Sequence, residues 1–520
     1  MAGLAAPVAI DPRQAATAEH QLRVMLRADP ARQDAALQIA RLFEAQGRYE
    51  DLLQATASAA AATHPDDGVL SARARAFKAL DRMDDCVATR ERAAALRPGR
   101  PIPLHNLASA LGDVGEAERA EATARAALAA GGDAPETWLV LARALQSQNR
   151  FDEAQAAFGE ALRRRPGYLD ALRDLAQLVW MRTGDLAQAA AMLPTSHDPA
   201  IRALRARLHE YAGDMEGGYR ALMAGPPADD ALLEITAAHL AASFDPRRAL
   251  GHALRAEALA PDAAIVTRKS IDVHLAAGEP DAALVRIAAG RARQPLDQGL
   301  IAAQWMAWRM LDDPRARALY DYAALVADWP LDTPTGWPDL SSYLADLAAA
   351  LGDLHQLHTH PLDQSLRHGT QTSVNLLRSQ DPAIKAFQTA IDGPIRRHLA
   401  FLGDGDDPVR TRNTGDYRIK AMWSVRLRPG GFHVSHVHPM GWLSSACYID
   451  LPPGMDSGDR EGWLKFGEPG VPTSPPLEAE HFIRPEPGRL ALFPAYMWHG
   501  TIPFTGEGRR LTIAFDIVPA

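Results

Sequence analysis

The sequence predicts a multidomain fold, an all-α solenoid of stacked helical pairs followed by an α+β unit built around a jelly-roll. Three observations predict it. Turn-like segments recur at a fixed interval of 34 residues, and that register is lost at a Pro- and Trp-rich stretch beginning near residue 326. Beyond it, after a return of helical signal, the chain runs through short β-rich segments bounded by Pro and Gly.

Taken in order, the first segment MAGLAAPVAIDPRQ has no basic start and meets Pro7, Asp11 and Pro12 before an apolar run forms, so no signal peptide is expected. The recurring turns are GRYEDL at Gly47, DRMDDC at Asp81, GEAERA at Gly115 and NRFDEA at Asn149. After irregular steps at Gly184 and Gly213 the interval resumes at Phe244, Gly278 and Asp312. Each unit reads as two amphipathic helices around the turn: Trp138, Leu139, Leu141, Ala142 and Leu145 form one apolar face, and Pro98 and Pro166 mark where second helices stop. A single pair cannot bury its face alone, so the pairs must stack. Trp180 and Met181 read as core residues of this array. In period, turn glycine, following alanine and closing proline the array resembles the tetratricopeptide repeat family, over residues 10–325. The resemblance implies a surface that binds peptides or protein segments.

A linker is expected at 326–345, where ADWPLDTPTGWPDL interrupts the register, and a second domain at 346–520. Helical patterning returns in SSYLADLAAALGDLHQL and DPAIKAFQTAIDGPIRRHLAFL, and strand patterning takes over from YRIKAMWSVRLRPG.

Composition narrows the function. Hydrophobic residues make up 47% and charged residues 23%, as in soluble globular chains, and no apolar run is long enough to span a membrane. The net charge of -9, from 55 Lys+Arg and 64 Asp+Glu, lacks the basic excess that phosphate binding favours, so neither nucleic acid nor membrane is expected as a partner. Cys86 and Cys447 stand far apart, which leaves no disulfide framework and fits a reducing, cytoplasmic setting.

The chemistry concentrates in GGFHVSHVHPMGWLSSACYIDLPPG. Alternate residues of an extended strand share a face, so His436 and His438 point the same way, whereas His433 has the opposite parity unless a bulge intervenes. His499 follows a second strand run, LALFPAYMWHGTIPF. Two close histidines and a distant third suit a metal held between two strands; a surface cluster or a structural zinc site is the alternative reading.

From Trp423 to Val518 the chain resembles the double-stranded β-helix (cupin-like) core of 2-oxoglutarate and Fe(II)-dependent oxygenases. In particular it resembles a bacterial branch often fused to tetratricopeptide repeats. The matching segments are HVHP at 436–439, WLSSACYIDLP at 442–452, GWLKFGEP at 462–469, GRLALFPAYMWHGTIP at 488–503 and RLTIAFD at 510–516. The resemblance implies Fe(II), 2-oxoglutarate as cosubstrate and O2. It implies His436 and His499 as metal ligands, with His438 where the superfamily usually has Asp or Glu. That departure leaves a three-His site, a two-His site with water, or a carboxylate from elsewhere such as Asp450. Arg510 matches the residue that grips the far carboxylate of 2-oxoglutarate, since a guanidinium fork donates two parallel hydrogen bonds. It joins His436 and His499 as a catalytic residue. Thr512, Tyr448 and Ser444 are implied contacts of the cosubstrate, and Arg509 has the solvent-facing parity. In HPLDQSLRHGTQTSVNLL at 360–377, which also resembles that branch, a loop over the metal is expected, with Arg367 and Gln371 contacting substrate; an ordered loop bonding its own backbone is the alternative. His355, His358 and His360 stay unassigned.

The leading expectation is a hydroxylase acting on a peptide or protein side chain recruited by the repeats. A small-metabolite oxygenase whose repeats serve docking or oligomerisation is one alternative, and a non-catalytic scaffold with a degenerate barrel is another.

Overall fold

The computed structural model describes residues 12–362, 364–453, 455 and 460–520. The leader stretch through Asp11, and with it the start of the repeat region at residue 10, lies outside the described residues. The chain divides into two compact units, Met1–Ala171 and Leu172–Ala520.

The first unit is built of antiparallel helical pairs such as Pro101–Asp113 with Ala117–Ala129, and Pro135–Ser147 with Phe151–Arg164. Alanine closes the gap between partners: Ala108, Ala120, Ala124, Ala142, Ala154 and Ala161 are fully buried. The recurring turn residue has a physical reason. Gly47, Asp81, Gly115 and Asn149 all adopt positive φ, the left-handed conformation that ends one helix and starts the next. Gly184, Gly213, Gly278 and Asp312 repeat it in the second unit, while Phe244 does not.

The second unit holds further pairs, including Pro199–Tyr211 with Met215–Met223 and Ala264–Ala276 with Pro280–Arg293, and then, among the described residues, nine strands. These are β1 Ala327–Pro330, β2 Leu366–Gln371, β3 Tyr417–His433, β4 Leu443–Asp450, β5 Leu464–Phe466, β6 His481–Ile483, β7 Arg489–Pro494, β8 His499–Thr501 and β9 Arg510–Pro519. A six-stranded antiparallel sheet has the order β1-β7-β4-β9-β3-β2, and a three-stranded one the order β6-β5-β8. An antiparallel bridge between His436 and His499 extends β8 on its other side. This is the jelly-roll. Its core includes Trp442, Phe466, Leu492, Phe493, Ile513 and Phe515, all fully buried.

Two helices buttress the larger sheet. Pro382–Leu402 begins with proline at its first position and with the Asp381 carboxylate accepting from the Ala383 and Ile384 amides, and it packs Phe387 edge-on against Phe515 of β9. Leu340–Gly352 buries Tyr343, Leu347 and Leu351 on one face.

Two segments depart from the sequence reading. Within the stretch expected to be a linker, Ala327–Pro330 is strand β1, at the edge of the large sheet beside β7. A proline there removes no ladder bond that an edge strand needs. The polar segment read as a loop over the metal is in part strand β2, paired with β3 through a bulge between Arg367 and Gly369.

Candidate metal centre and its cavity

Strand β3 ends at His433. The chain then loses its strand alternation and crosses to β8, where His436 and His499 exchange both backbone hydrogen bonds, N–H to carbonyl, at 2.8 and 3.1 Å. The close approach needs Gly500, because a Cβ there would stand 2.7 Å from the His433 carbonyl oxygen and 2.9 Å from Ser435 Oγ. Because alternation stops at His433, parity no longer separates the histidines, and His433 lines the same cavity as the other three.

His436, His438 and His499 offer ring nitrogens that all lie within 4.8 Å of one another. Each ring is oriented from behind. Nδ1–H of His436 donates to the Val434 carbonyl at 2.9 Å, that of His499 to the Met497 carbonyl at 2.8 Å, and that of His438 to the Asp516 carboxylate at 2.7 Å. A carbonyl oxygen can only accept, so in the neutral rings of His436 and His499 the lone pair is on Nε2. Burial holds both rings neutral, pushing His436 down to about 3 and His499 well below its ordinary value. The Nε2 atoms of His436 and His438 face each other at 3.2 Å. Two lone pairs so placed repel unless a cation sits between them, and metal–nitrogen bonds of about 2.1 Å at right angles separate neighbouring nitrogens by about 3 Å. The donor set therefore fits a divalent transition metal, with imidazole in all three places.

Asp516 is the residue that sequence reasoning missed. It continues the alternation Arg510, Thr512, Ala514, Asp516 along β9, opposite Ser444 and Tyr448 of β4 in the register Ser444↔Asp516 and Tyr448↔Thr512. The parity that pointed to Arg510 and Thr512 points equally to Asp516. Asp450, the carboxylate considered from sequence, is elsewhere: the β4–β9 register shifts between Tyr448 and Asp450, and its half-exposed side chain pairs with Arg509 at 3.3 Å.

A cavity of about 620 Å³ opens onto the three histidines. Arg510 and Thr512 line it with Arg367 and Gln371 from β2. Arg510 is 2% exposed and its Nε has no hydrogen-bond partner among the described residues, which also give its guanidinium no carboxylate partner. Burial lowers its pKa, and its charge lies 5.2 Å from the centre of the Tyr448 ring. A buried guanidinium with no counter-charge is costly, so this one, with only the Tyr448 hydroxyl beside it, fits a carboxylate ligand. Tyr448 and Ser444 share this sheet face, opposite Thr512 and Asp516, but are not among the residues that line the cavity. Burial pushes the Tyr448 hydroxyl up to about 12 against the opposing influence of the Arg510 guanidinium beside it, and the Ser444 hydroxyl donates to Asp516 at 3.3 Å. Ser365 Oγ lies 2.9 Å from His433 Nδ1 and 3.4 Å from His436 Nε2.

Helices of the same unit close the cavity opposite the strands, contributing Glu210 and Tyr211 from Pro199–Tyr211, Met215, and His239 from Ala231–Ala241. Glu210 accepts from His239 Nε2 at 2.8 Å, and although desolvation opposes it, its pKa is lowered through that bond and the charges of Lys269 and Arg207. The three unassigned histidines divide. His355 is buried between Thr370 at 2.8 Å and Ser424 at 3.1 Å, whereas the backbone at His358 and Thr359 donates to the Met181 carbonyl and the Trp180 indole donates to the His360 carbonyl. Trp180 and Met181 are buried, as read from sequence.

Residues 421–516 match the family model described as "Putative 2OG-Fe(II) oxygenase", and residues 135–178 match one for the tetratricopeptide repeat. No curated protein matches the chain. Among solved structures, a tetratricopeptide repeat protein from Parabacteroides merdae is 15% identical, covering 50% of this chain and 91% of its own, with a TM-score of 0.33. A Pseudomonas putida prolyl-4-hydroxylase is 17% identical, covering 39% of this chain and 97% of its own, with a TM-score of 0.26. No helix among the described residues is long and apolar enough to cross a membrane.

Proposed function

We propose that the chain is a 2-oxoglutarate- and Fe(II)-dependent dioxygenase that hydroxylates a peptide or protein side chain presented by its repeats, with 10–325 as its repeat region, 346–520 as its catalytic domain and the segment 326–345 joining them while adding β1 to the catalytic sheet. One observation carries the reading: three imidazoles with converging nitrogens and a buried guanidinium without a carboxylate partner among the described residues line one cavity.

In this reading His436, His438 and His499 hold Fe(II) through Nε2, while the Val434 and Met497 carbonyls and the Asp516 carboxylate keep each proton on Nδ1. Arg510 receives the far carboxylate of 2-oxoglutarate, with Thr512 beside it on the same strand face. Ser444 and Tyr448 flank Asp516 and Thr512 on the adjacent strand. Bound Fe(II) and 2-oxoglutarate supply the oxidative decarboxylation that activates O2. The balance is R–H + O2 + 2-oxoglutarate → R–OH + succinate + CO2, with one oxygen atom in the hydroxyl and the other in succinate. Trp423, ring-stacked on His438 at 6.1 Å, and Phe493, 4.5 Å from His499, give the centre an apolar surround that limits water. Because Glu210, Tyr211 and His239 form the facing wall, a substrate at the histidines also touches repeat helices. That favours a polypeptide substrate, aligned by Arg367 and Gln371 at the cavity edge.

The test is succinate formation from 2-oxoglutarate with added Fe(II). It is expected in the wild type and lost, together with metal binding, in His499→Ala. Wild-type protein that binds metal but forms no succinate would leave the scaffold reading.

A further inference from the structure

Ser365 stands at the entry to β2 and is tied to His436 from both ends of the imidazole ring. Its carbonyl accepts from the amide of Val434, whose own carbonyl accepts from His436 Nδ1, both at 2.9 Å. Its hydroxyl oxygen lies at the other end of the same ring, 3.4 Å from Nε2, and also 2.9 Å from His433 Nδ1. The side chains of Ser365, His433 and His436 all line the cavity onto which the three converging histidines open.

The protons along this chain can be placed. His436 gives its Nδ1–H to Val434, so its Nε2 offers a lone pair and the serine turns its single hydrogen toward it; the reverse orientation sets two lone pairs face to face. With that hydrogen used, the shorter contact is made by His433, whose Nδ1–H donates to Ser365 Oγ. The chain therefore runs in one direction, from His433 through Ser365 to the Nε2 atom of His436.

A metal changes only the last link. It takes the Nε2 lone pair of His436, and the hydroxyl, still receiving from His433, is left with a hydrogen to give. A metal bound to Nε2 at about 2.1 Å lies within about 5.5 Å of Ser365 Oγ, a distance that one small metal ligand spans. The hydroxyl is not needed to hold the site together. Val434 already fixes the His436 ring from behind, and the Val434 amide and the β2–β3 pairing that starts at Leu366↔His433 hold the segment. Ser365 also approaches from the flank opposite the cosubstrate clamp, because β2 and β9, which carries Arg510 and Thr512, lie on either side of β3.

We propose that Ser365 is a positioning residue for the small exchangeable ligand of the metal, a hydrogen-bond acceptor of the size of water or O2, and that His433 fixes the direction of its hydroxyl. This rests on the metal reading of the three histidines and deepens it, by giving a partner to a coordination position that neither the imidazoles nor 2-oxoglutarate fills. A hydroxyl whose oxygen already receives an N–H bond is the stronger donor, since hydrogen bonds in a chain polarise one another.

The test uses the full chain loaded with Co(II), whose visible absorption follows both metal binding and ligand exchange, with azide as a small ligand that accepts a hydrogen bond. Ser365→Ala is expected to weaken azide binding about 10-fold, while Co(II) and 2-oxoglutarate affinities change less than about 2-fold. Ser365→Thr keeps the hydroxyl and is expected to hold azide within about 2-fold of wild type. His433→Asn, whose amide N–H replaces the Nδ1–H donor, is expected to behave as Ser365→Thr, and His433→Phe as Ser365→Ala. Wild-type azide affinity in Ser365→Ala, a Ser365→Thr as weak as Ser365→Ala, or a parallel loss of azide, 2-oxoglutarate and Co(II) affinity, as a general loosening of the site gives, overturns the proposal. Wild-type azide affinity in His433→Phe overturns the part assigned to His433. Failure of the wild type to bind Co(II) overturns the metal reading and this inference with it, whereas bound Co(II) with equal azide affinity in wild type and Ser365→Ala overturns this inference alone.

Discussion

At position 438 the chain carries an imidazole where the oxygenases its sequence resembles usually carry Asp or Glu, and the structure places a carboxylate one ring further out, with Asp516 bonded to His438 Nδ1 at 2.7 Å. A carboxylate behind an imidazole raises the basicity of the far nitrogen and fixes the ring, so part of the missing negative charge is returned through His438. Asp516→Asn keeps an acceptor for that N–H and removes the charge. It is expected to lower Co(II) or Ni(II) affinity by about 10- to 100-fold in a spectroscopic titration. Ser444→Ala, which removes only a 3.3 Å donor to Asp516, should change affinity far less. Equal affinity in wild type and Asp516→Asn would mean that the aspartate only fills space. The gathering of His436, His438 and His499 was legible because they lie in two contiguous motifs at strand ends. Asp516 was hidden because a carboxylate near the end of a strand reads as solvent-facing unless the alternation that starts at Arg510 is followed to its last step.

Among the elements, the segment that delivers His499 is held by a residue from the helical region. Tyr320 stacks on Trp305 with ring centres 4.0 Å apart, donates its hydroxyl to the Tyr496 carbonyl at 2.8 Å and accepts from the Trp498 amide at 3.0 Å. Removing the hydroxyl leaves two buried backbone groups without this partner, at a cost of about 1–3 kcal/mol. Tyr320→Phe should lower the urea midpoint accordingly and weaken metal binding, since Met497, whose carbonyl orients His499, lies between the two anchored residues. A lowered midpoint with unchanged metal affinity would confine Tyr320 to a stability role. Long elements were legible here and short ones were not. Pro382–Leu402 has a cap, a proline start and five turns of apolar periodicity, whereas β1 has four residues and β2 reads LRHGTQ, too polar and too interrupted by Gly369 to resemble a strand. Tyr320 itself carried no signal, because a tyrosine closing a helical repeat is ordinary core until its partner far along the chain is known.

Over the whole molecule, the 34-residue recurrence and the switch to strand patterning were enough for the succession of solenoid and jelly-roll, because the turn positions, Phe244 apart, are left-handed and the strands bury one face. Which helices pack beside the barrel was not legible, since that depends on contacts between residues such as Trp180 and His360 that no local pattern connects. Those contacts bury histidines in neutral form and make the second unit acid-sensitive. Burial pushes His355 and His398 down to about 3 and His360 to about 4, from an ordinary value of 6.5. As pH falls below 6.5 the unfolded chain takes up these protons and the native chain does not, so stability falls with pH until the folded values are reached. At pH 5.5 the loss depends only on the unfolded values, at about 1.4 kcal/mol per histidine, or about 4 kcal/mol for the three. In the apoprotein, the buried rings of His433, His436 and His499 add to the loss in the same direction. Of the 10 tryptophans only Trp138 lies outside Leu172–Ala520, so tryptophan fluorescence chiefly follows this unit in urea. The expected result is a marked drop in its unfolding free energy between pH 7 and 5.5. His398→Phe, whatever it does to absolute stability through the lost Trp329 hydrogen bond, removes one titrating group and should flatten that dependence by about 1.4 kcal/mol. An unchanged pH dependence in the variant would show that His398 is protonated in the native protein, and that its burial does not keep it neutral.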